Sequence, residues 1–364
     1  MNILHNPWTA KCVLEECPGK HIIGLAPMDG VTDEPFRFIM AKYGKPAIQI
    51  TEFTSVEGIC AGATKNLQAF LFDESERPIV AQIFGSTPEA FYKSAFVVAE
   101  LGFDGIDINM GCPAQNIASK GAGASLIRTP ELAKAIIRET KRACKDWSEG
   151  KKIEDVGLPE RIIEYVNMHR SDHPTSASRK LLPVSVKTRI GYNSEIVEEW
   201  IKHLLEEEPV NISLHGRTLK QMYSGNADWD AIAKAARIIH QTQTTILGNG
   251  DIKNLADAHQ KIKQYGVDGV LIGRATFGNP WLFQDKEATI EEKFAVAIEH
   301  SRLHEKVFTP QFFFPMRKHL AWYCKGFPGA SEIRQKLMQA NNSEDVEAIL
   351  KNCIPATILQ GNTN

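Results

Sequence analysis

A cysteine follows directly on an apolar run at residues 105–111, in the sequence "GIDINMGCP". Cys112 lies between Gly111 and Pro113, and the loop that follows, "SKGAGASL", carries further glycines. Glycine permits a ligand to approach the backbone closely. No second cysteine lies nearby in the sequence, so disulfide exchange is disfavoured and two roles remain, nucleophile or general acid. A thiol with an ordinary pKa of about 8.5 is mostly protonated at neutral pH and has a proton to give.

Other polar residues stand at or near the ends of short apolar runs. Each of them alone is an ordinary strand-end residue. In a parallel α/β barrel, however, the carboxyl ends of all strands meet at one mouth, where active sites form, so the set together predicts a site. Its members are Pro27, Met28 and Asp29 after the first run, Gln82 in the third, Asn109 in the fourth, Lys187 and Arg189 in the fifth, His215 in the sixth, Asn249, Gly250 and Asp251 after the seventh, and Gly273 and Arg274 after the eighth.

The ends of the last two runs predict a phosphate site. "GNGD" and "GRA" offer glycines and backbone N–H groups where barrels of this kind commonly bind phosphate, and Arg274 adds a cation. Lys187 in the middle of the mouth suits an electron-rich ring such as a reduced flavin. A protonated thiol beside a flavin delivers a proton while the flavin delivers a hydride, and together they reduce an activated C=C bond.

The elements that must position these residues alternate between two kinds. Eight apolar runs are each followed by a longer amphipathic segment, which predicts a closed (β/α)₈ TIM barrel; an open doubly wound sheet is the alternative. Thr87, Thr129 and Asn254 are predicted to cap the helices that they precede. The runs lie near 21–27, 47–51, 78–85, 105–111, 182–188, 211–216, 244–250 and 268–275, and the helices near 87–101, 130–144, 194–207, 228–240 and 254–265.

The pattern changes after about residue 285, where strand-like runs cease. We therefore expect a barrel domain over 1–285 and a small all-α domain over 286–364, with helices at 287–308, 310–325, 330–340 and 343–352. Residues 145–182 lengthen the link between the fourth and fifth runs. This insertion is polar, contains a predicted helix near 157–170, and is interpreted as a surface excursion.

Composition is that of an ordinary globular protein. The chain has 364 residues, a net charge of −2 and a hydrophobic fraction of 43%, with no run long enough to cross a bilayer and no secretory signal at its start. Seven cysteines without a C-x-x-C pair predict reduced thiols in a cytoplasmic protein that has no metal site.

These motifs resemble those of the tRNA-dihydrouridine synthase family. The resemblance covers nearly all of residues 21–340, with its segments in family order, and the blocks at 107–126 and 317–337 are the most specific. The matching segments are "APMDGVTDEPFR" (26–37), "TEFTS" (51–55), "AQIFG" (81–85), "DINMGCPAQNIASKGAGASL" (107–126), "VKTRIGY" (186–192), "HGRTLKQMYSGNADW" (215–229), "GNGDI" (248–252), "IGRATFGNPW" (272–281) and "RKHLAWYCKGFPGASEIRQKL" (317–337).

The resemblance implies a fold, a chemistry and a partner. It implies an FMN-binding barrel followed by a helical domain, and a flavin-dependent oxidoreductase acting on CH–CH bonds. NADPH reduces FMN, a hydride passes from flavin N5 to C6 of a uracil in tRNA, and a cysteine, here Cys112, protonates C5. Pro27, Met28, Asp29 and Gln82 would line the flavin ring, with Lys187 and His215 contacting it. Asn249, Gly250, Asp251, Gly273 and Arg274 would bind its phosphate, and Asn109 and Arg189 would contact the uracil.

A basic, aromatic-rich stretch at 317–336 suits contact with tRNA. Arg317, Lys318 and Lys325 are the residues expected to bind it, and we expect a monomeric protein. The sequence departs from the family pattern at Asp29, where a small residue is expected, at the "LK" pair of "HGRTLKQMYSG", and in the length of the insertion. Two alternatives stay open at this point: a TIM-barrel flavin reductase of a small molecule, and a non-catalytic flavoprotein that binds tRNA.

Overall fold

The computed structural model describes Trp8 and residues 21–170, 179–222, 224–308 and 312–353. Cys12, Cys17 and part of the predicted insertion therefore lie outside the described residues. The other cysteines, Cys60, Cys112, Cys144, Cys324 and Cys353, are free thiols, in agreement with the predicted reduced state.

Eight parallel strands close into a barrel in sequence order, and β1 pairs with β8. This confirms the predicted TIM barrel over the open-sheet alternative. Because helices cover the outside and side chains fill the inside, most positions in each strand are buried, which explains why the strands appear in the sequence as continuous apolar runs. The strands are β1 Ile22–Leu25, β2 Gln49–Ser55, β3 Ile79–Phe84, β4 Gly105–Met110, β5 Val184–Arg189, β6 Asn211–His215, β7 Thr245–Asn249 and β8 Gly269–Ile272.

Helices follow the strands where the sequence has amphipathic segments, as predicted. Asn254 caps its helix by accepting from the Asp257 N–H at 2.8 Å. Thr87 and Thr129 make no such cap, which corrects that prediction: both helices begin with proline, which needs no N–H partner, and the Thr87 N–H donates to Glu57 instead. In chain order the helices are α1 Glu34–Tyr43, α2 Val56–Cys60, α3 Pro88–Glu100, α4 Gln115–Ala118, α5 Pro130–Ser148, α6 Glu160–His169, α7 Val197–Leu205, α8 Trp229–Ile239 and α9 Leu255–Tyr265.

The insertion between β4 and β5 is attached through a buried carboxylate. Glu100 Oε2 accepts from Arg170 at 2.8 Å, and Glu100 Oε1 accepts from Arg179 and from the Trp147 indole N–H, each at 2.9 Å. Arg170 and Arg179 bracket the part of the insertion outside the described residues. The predicted helix near 157–170 is present as α6.

The chain divides into two compact units. The first is 1–29 with 46–273, and the second is 30–45 with 274–364. The second unit holds α1 together with α10 Ile290–Val307, α11 Met316–Tyr323, α12 Ala330–Leu337 and α13 Ser343–Lys351. Helix α11 begins later than the predicted residue 310 because Pro315 occupies its N-terminal cap.

Within the described part of the chain, no helix is long and apolar enough to cross a membrane. The same residues contain no group of three or more His, Cys, Asp or Glu side chains that could hold a metal ion.

Candidate active site

The predicted mouth residues of the first unit lie at the carboxyl ends of adjacent strands. Strand pairing sets Asn109 of β4 beside Lys187 of β5, and Arg189 of β5 beside His215 of β6. His215 in turn pairs with Asn249 of β7. Four neighbouring strands thus present amide, amine, guanidinium and imidazole groups at one end of the barrel.

The loop that carries Cys112 is fixed at both of its ends. At its start, Asn109 Oδ1 accepts from the backbone N–H groups of Gly111 at 3.0 Å and Cys112 at 2.8 Å. At its end, the Ala124 N–H donates to the Cys112 carbonyl at 3.1 Å. Gly123 has a φ of +58°, and a Cβ there would stand 2.9 Å from the Cys112 carbonyl oxygen. The glycines of this loop therefore allow it to close tightly around Cys112.

The thiol of Cys112 is half-buried and holds its proton firmly. Burial raises its pKa from the ordinary value, while the Ala114 N–H lowers it. The Asp29 carboxylate raises this pKa further, against the opposing cations of Arg189 and Lys187. The thiol is consequently protonated at neutral pH, the form that serves as a proton donor.

Lys187 is a half-buried residue whose amine has a lowered pKa. Its Nζ donates to Asn249 Oδ1 at 3.3 Å, and Asn249 Nδ2 donates to the Leu271 carbonyl at 2.8 Å. Burial and the charge of Arg189 together lower the pKa of Lys187 to about 8, against the opposing effects of Asp107 and Cys112. A cation withdrawn from water in this way favours an anionic or electron-rich partner.

Two further predicted residues support the loop that holds the thiol. Arg189 is buried and donates through Nε to the Gly111 carbonyl at 2.6 Å and through Nη1 to the Thr218 carbonyl at 3.2 Å. Gln82, also buried, accepts from Asn109 Nδ2 at 2.9 Å. The side chains of Asn109 and Arg189, expected to contact substrate, thus hold the backbone next to Cys112.

The strand ends expected to bind phosphate carry glycines that no larger residue could replace without movement. A Cβ on Gly250, whose φ is +130°, would stand 2.6 Å from the Ala227 Cβ, and one on Gly273 would stand 3.2 Å from Met28 Sδ. The Asp251 carboxylate accepts from Arg217 and from the Ala227 N–H at 2.6 and 2.8 Å. Asp251 therefore stabilises the segment after β6 through its side chain.

Asp107 and Ser185 lie next to predicted site residues but are absent from the set predicted from the sequence. Asp107 and Ser185 are fully buried on β4 and β5 and bond to each other at 2.6 Å. A carboxylate in the apolar run "GIDINMG", two positions before Asn109 and hence on the same face of the strand, was the available signal for Asp107.

The second unit holds the remaining predicted residues. Arg317 donates to the Ala340 carbonyl at 3.0 Å and to Asn341 Oδ1 at 2.9 Å, and Lys318 donates to the Gly30 carbonyl. Lys325 is exposed. Arg274 begins a short 3₁₀ turn, Arg274–Thr276. Phe277 and Trp322 stack with ring centroids 3.9 Å apart and planes 11° from parallel.

Comparisons with known proteins agree over most of the chain. A family model described as dihydrouridine synthase (Dus) matches residues 24–151 and 173–359, and so reaches into both units. The probable tRNA-dihydrouridine synthase 2 of Bacillus subtilis (strain 168) is 34% identical over 335 residues, covering 90% of this chain and 92% of its own. The probable tRNA-dihydrouridine synthase of Staphylococcus aureus (strain MRSA252) is 34% identical over 336 residues, covering 90% and 91%.

Among solved structures, a DHODH from Eimeria tenella in complex with ferulenol matches 72% of this chain and 78% of its own. The two chains are 12% identical and the TM-score is 0.47.

Proposed function

The chain belongs to the dihydrouridine synthase family, and we propose that it reduces the C5=C6 bond of specific uridines in tRNA to give 5,6-dihydrouridine. The names of its relatives support tRNA as the substrate. We further propose FMN as the tightly bound cofactor and NADPH as the reductant.

The residues at the barrel mouth fit FMN by their chemistry. Gly250 and Gly273 offer backbone N–H groups at the strand ends where barrels of this kind bind phosphate, and the half-buried Lys187 amine suits an electron-rich ring. Pro27, Met28, Gln82 and His215 would line the ring beside it. Asn249 would contribute to the phosphate end, and Arg274 stays a predicted contact there. When bound, FMN supplies the hydride that adds to uracil C6.

The raised pKa of the Cys112 thiol is the observation that carries the mechanism. Because the thiol stays protonated, Sγ can deliver a proton to uracil C5, with the S–H electron pair remaining on sulfur. Hydride and proton together add two electrons and two hydrogens across the bond. Lys187 and Arg189 lower the cost of the thiolate that remains, since both act as cations on that sulfur.

Asn109 and Arg189 orient this thiol through the backbone on either side of it. Asn109 binds the Cys112 N–H and Arg189 binds the Gly111 carbonyl, so both ends of one peptide segment are fixed. Direct contact of either side chain with uracil stays a prediction.

We propose that the second unit contacts tRNA phosphates and exposed bases. Its exposed Lys325 provides a cation, and the stacked pair of Phe277 and Trp322 provides an aromatic surface. Lys318 and Arg317 stand on the same helix, α11, and their cations are directed to carbonyl groups of the unit itself.

The experiment that tests the function uses purified protein, NADPH and two tRNA substrates: unmodified transcripts, and tRNA from cells that lack the enzyme. Dihydrouridine is scored by mass spectrometry of nuclease fragments. We expect dihydrouridine at a defined position. Flavin-bound protein that oxidises NADPH but leaves both tRNA pools unchanged would instead favour a reductase of a small molecule, and a Cys112→Ala variant as active as the wild type would contradict the proton-donor role.

A further inference from the structure

A chain of buried hydrogen bonds runs across three strands inside the barrel to the backbone of Cys112. Ser185 Oγ donates to Asp107 Oδ1 at 2.6 Å, and Gln82 Nε2 donates to Asp107 Oδ2 at 2.7 Å. Asn109 Nδ2 then donates to Gln82 Oε1 at 2.9 Å, and Asn109 Oδ1 accepts from the Cys112 N–H at 2.8 Å. Ser185, Asp107 and Gln82 are fully buried, and Asn109 is nearly so.

The direction of every bond in this chain is forced by its two ends. The backbone N–H groups of Gly111 and Cys112 can only donate, so Asn109 must turn its oxygen towards them and its amide nitrogen towards Gln82. Gln82 must then offer its oxygen to Asn109 and its nitrogen to Asp107. An ionised Asp107 accepts at both oxygens, which completes the chain without a conflict.

We propose that Asp107 is a positioning residue for the Cys112 thiol: by accepting from Gln82 it fixes the orientation of two amides, and through them the backbone of the cysteine loop. The inference rests on the proposed function in so far as Cys112 is the proton donor. Asp107 itself touches neither Cys112 nor, in this proposal, the substrate.

Removing the acceptor at Asp107 would leave Gln82 Nε2 buried without a partner. A buried unpaired donor is costly, so the Gln82 side chain would no longer be held in place and its bond to Asn109 would be weakened. Asn109 would in turn hold the N–H groups of Gly111 and Cys112 less rigidly. The disturbance therefore passes along the chain to the cysteine loop and does not stay where it begins.

Protonation of Asp107 keeps the acceptor that Gln82 needs, because the carbonyl oxygen of the acid can accept from Gln82 while its O–H donates to the Ser185 hydroxyl. Burial raises the pKa of Asp107 to about 6, against the hydrogen bonds of Ser185 and Gln82 and the charge of Lys187. Lys187, on the neighbouring strand, is the charged group acting on Asp107; Ser185 and Gln82 are its neutral partners. The two amides therefore keep their orientation on both sides of this pKa.

The test compares Asp107→Asn with Asp107→Leu. An asparagine at this position can accept from Gln82 through its side-chain oxygen and donate to the Ser185 hydroxyl through its nitrogen. The Ser185 hydroxyl can then donate to the Ile106 carbonyl, which lies 3.3 Å from it. Leucine removes the acceptor at similar volume. The matched controls are Asp104→Asn and Asp104→Leu, because Asp104 precedes the same strand and bonds to the Ile79 N–H and Arg77 without joining this chain.

The readout is the rate at which a dipyridyl disulfide reagent modifies Cys112 in the flavin-bound protein without tRNA, resolved by peptide mass spectrometry and corrected for the thiolate fraction. We expect Asp107→Leu to raise this rate by about tenfold. We expect Asp107→Asn and both Asp104 variants to stay within about twofold of the wild-type rate. We also expect neither wild type nor Asp107→Asn to show a step in the corrected rate near pH 6, because both keep an acceptor for Gln82.

Equal rates in wild type and Asp107→Leu, or a raised rate in Asp107→Asn, would overturn the inference. If Asp107→Leu does not fold, Gln82→Met breaks the same chain at its next member, and an unchanged rate in that variant would overturn the inference as well. Dihydrouridine formation is measured in parallel. If the Cys112 modification rates are as expected but the wild type forms no dihydrouridine in tRNA, the proposed function alone is rejected. If the Asp107 variants form dihydrouridine and their Cys112 modification rates equal that of wild type, the positioning role alone is rejected.

Discussion

Glu100 and Asp107 are both buried carboxylates of the barrel unit, but their partners differ in charge. Glu100 meets two arginines, Arg170 and Arg179, and the indole of Trp147. Asp107 meets a serine hydroxyl and a glutamine amide, with Lys187 as its charged neighbour. Paired with cations, the Glu100 carboxylate anchors the insertion. Asp107 lies among neutral donors, and burial raises its pKa to about 6, a shift of the kind that is common at functional sites.

Replacing Cys112 with alanine tests its proposed role as the proton donor. We expect dihydrouridine formation to fall by about 10²–10⁴-fold, the usual contribution of a general acid, with FMN still bound. Single-turnover reduction of tRNA measures the loss, and flavin absorbance checks the binding. Cys60→Ala is the control, because Cys60 also has a thiol whose pKa is raised by burial but lies in α2. A similar loss of dihydrouridine formation in Cys112→Ala and Cys60→Ala would contradict a specific role of the Cys112 thiol.

Replacing Glu100 with glutamine tests the anchoring carboxylate. Two buried arginines would lose their counter-charge, so we expect the free energy of unfolding to fall by about 3–5 kcal/mol, measured by urea denaturation. Turnover per folded molecule should stay unchanged. Arg138→Gln is the control: its exposed pair with Glu207 is expected to contribute less than about 1 kcal/mol. An equally small effect of Glu100→Gln would show that the insertion does not depend on this anchor.

Gly123→Ala tests how tightly the Cys112 loop must close. Alanine would have to keep the positive φ of this position, which is unfavourable for it, and its Cβ would stand 2.9 Å from the Cys112 carbonyl oxygen. Gly266→Ala shares the positive φ, +64°, but meets nothing within 4 Å. We expect both to lose about 1 kcal/mol of stability, and Gly123→Ala about 1–2 kcal/mol more together with reduced turnover. Thermal unfolding and single-turnover rates measure the difference, and equal losses would show that the loop tolerates the added carbon.

The pH dependence of stability tests the raised pKa of Asp107. Its pKa is raised from 3.8 to about 6 on folding, so the folded state binds more protons in that window and this residue's contribution to stability falls as pH rises through it. Asp107→Asn removes the contribution. The stability of the variant relative to wild type should therefore rise from about pH 4 to pH 6 and stay level above, as urea denaturation at several pH values would measure. A pH-independent difference would place the titration elsewhere.

Asp29 is expected to have only a small influence on the thiol. Its exposed carboxylate raises the pKa of Cys112, so Asp29→Asn should lower that pKa and increase the rate of thiol modification by about two- to fivefold at fixed pH. The difference should shrink in high salt, because salt screens an exposed charge. Asp230→Asn, an exposed residue of α8, serves as the control and should leave the rate unchanged. A slower reaction of Asp29→Asn would contradict the sign of this interaction.

The order of residue types along the chain was enough to predict the barrel and the polar residues at the carboxyl ends of its strands. Strands buried on both faces must be apolar runs, and parallel strands must end at one mouth, so Cys112, Lys187 and Asn249 could be grouped from the sequence alone. The family followed from motifs at fixed order. Helix ends were less predictable, because a threonine before a proline has no fixed partner until the fold supplies one, as Glu57 does for Thr87.

The contacts of the polar side chains, by contrast, depend on the three-dimensional fold. Contact of Asn109 and Arg189 with substrate stays a prediction, but their hydrogen bonds to the backbone of the cysteine loop could be seen only in the fold. Asp107 was not predicted because its partners, Gln82 and Ser185, lie far from it in sequence and reach it through strand pairing. Residue type fixes which hydrogen bonds a side chain can make, but the partner, the burial and hence the pKa depend on which strands the fold brings side by side.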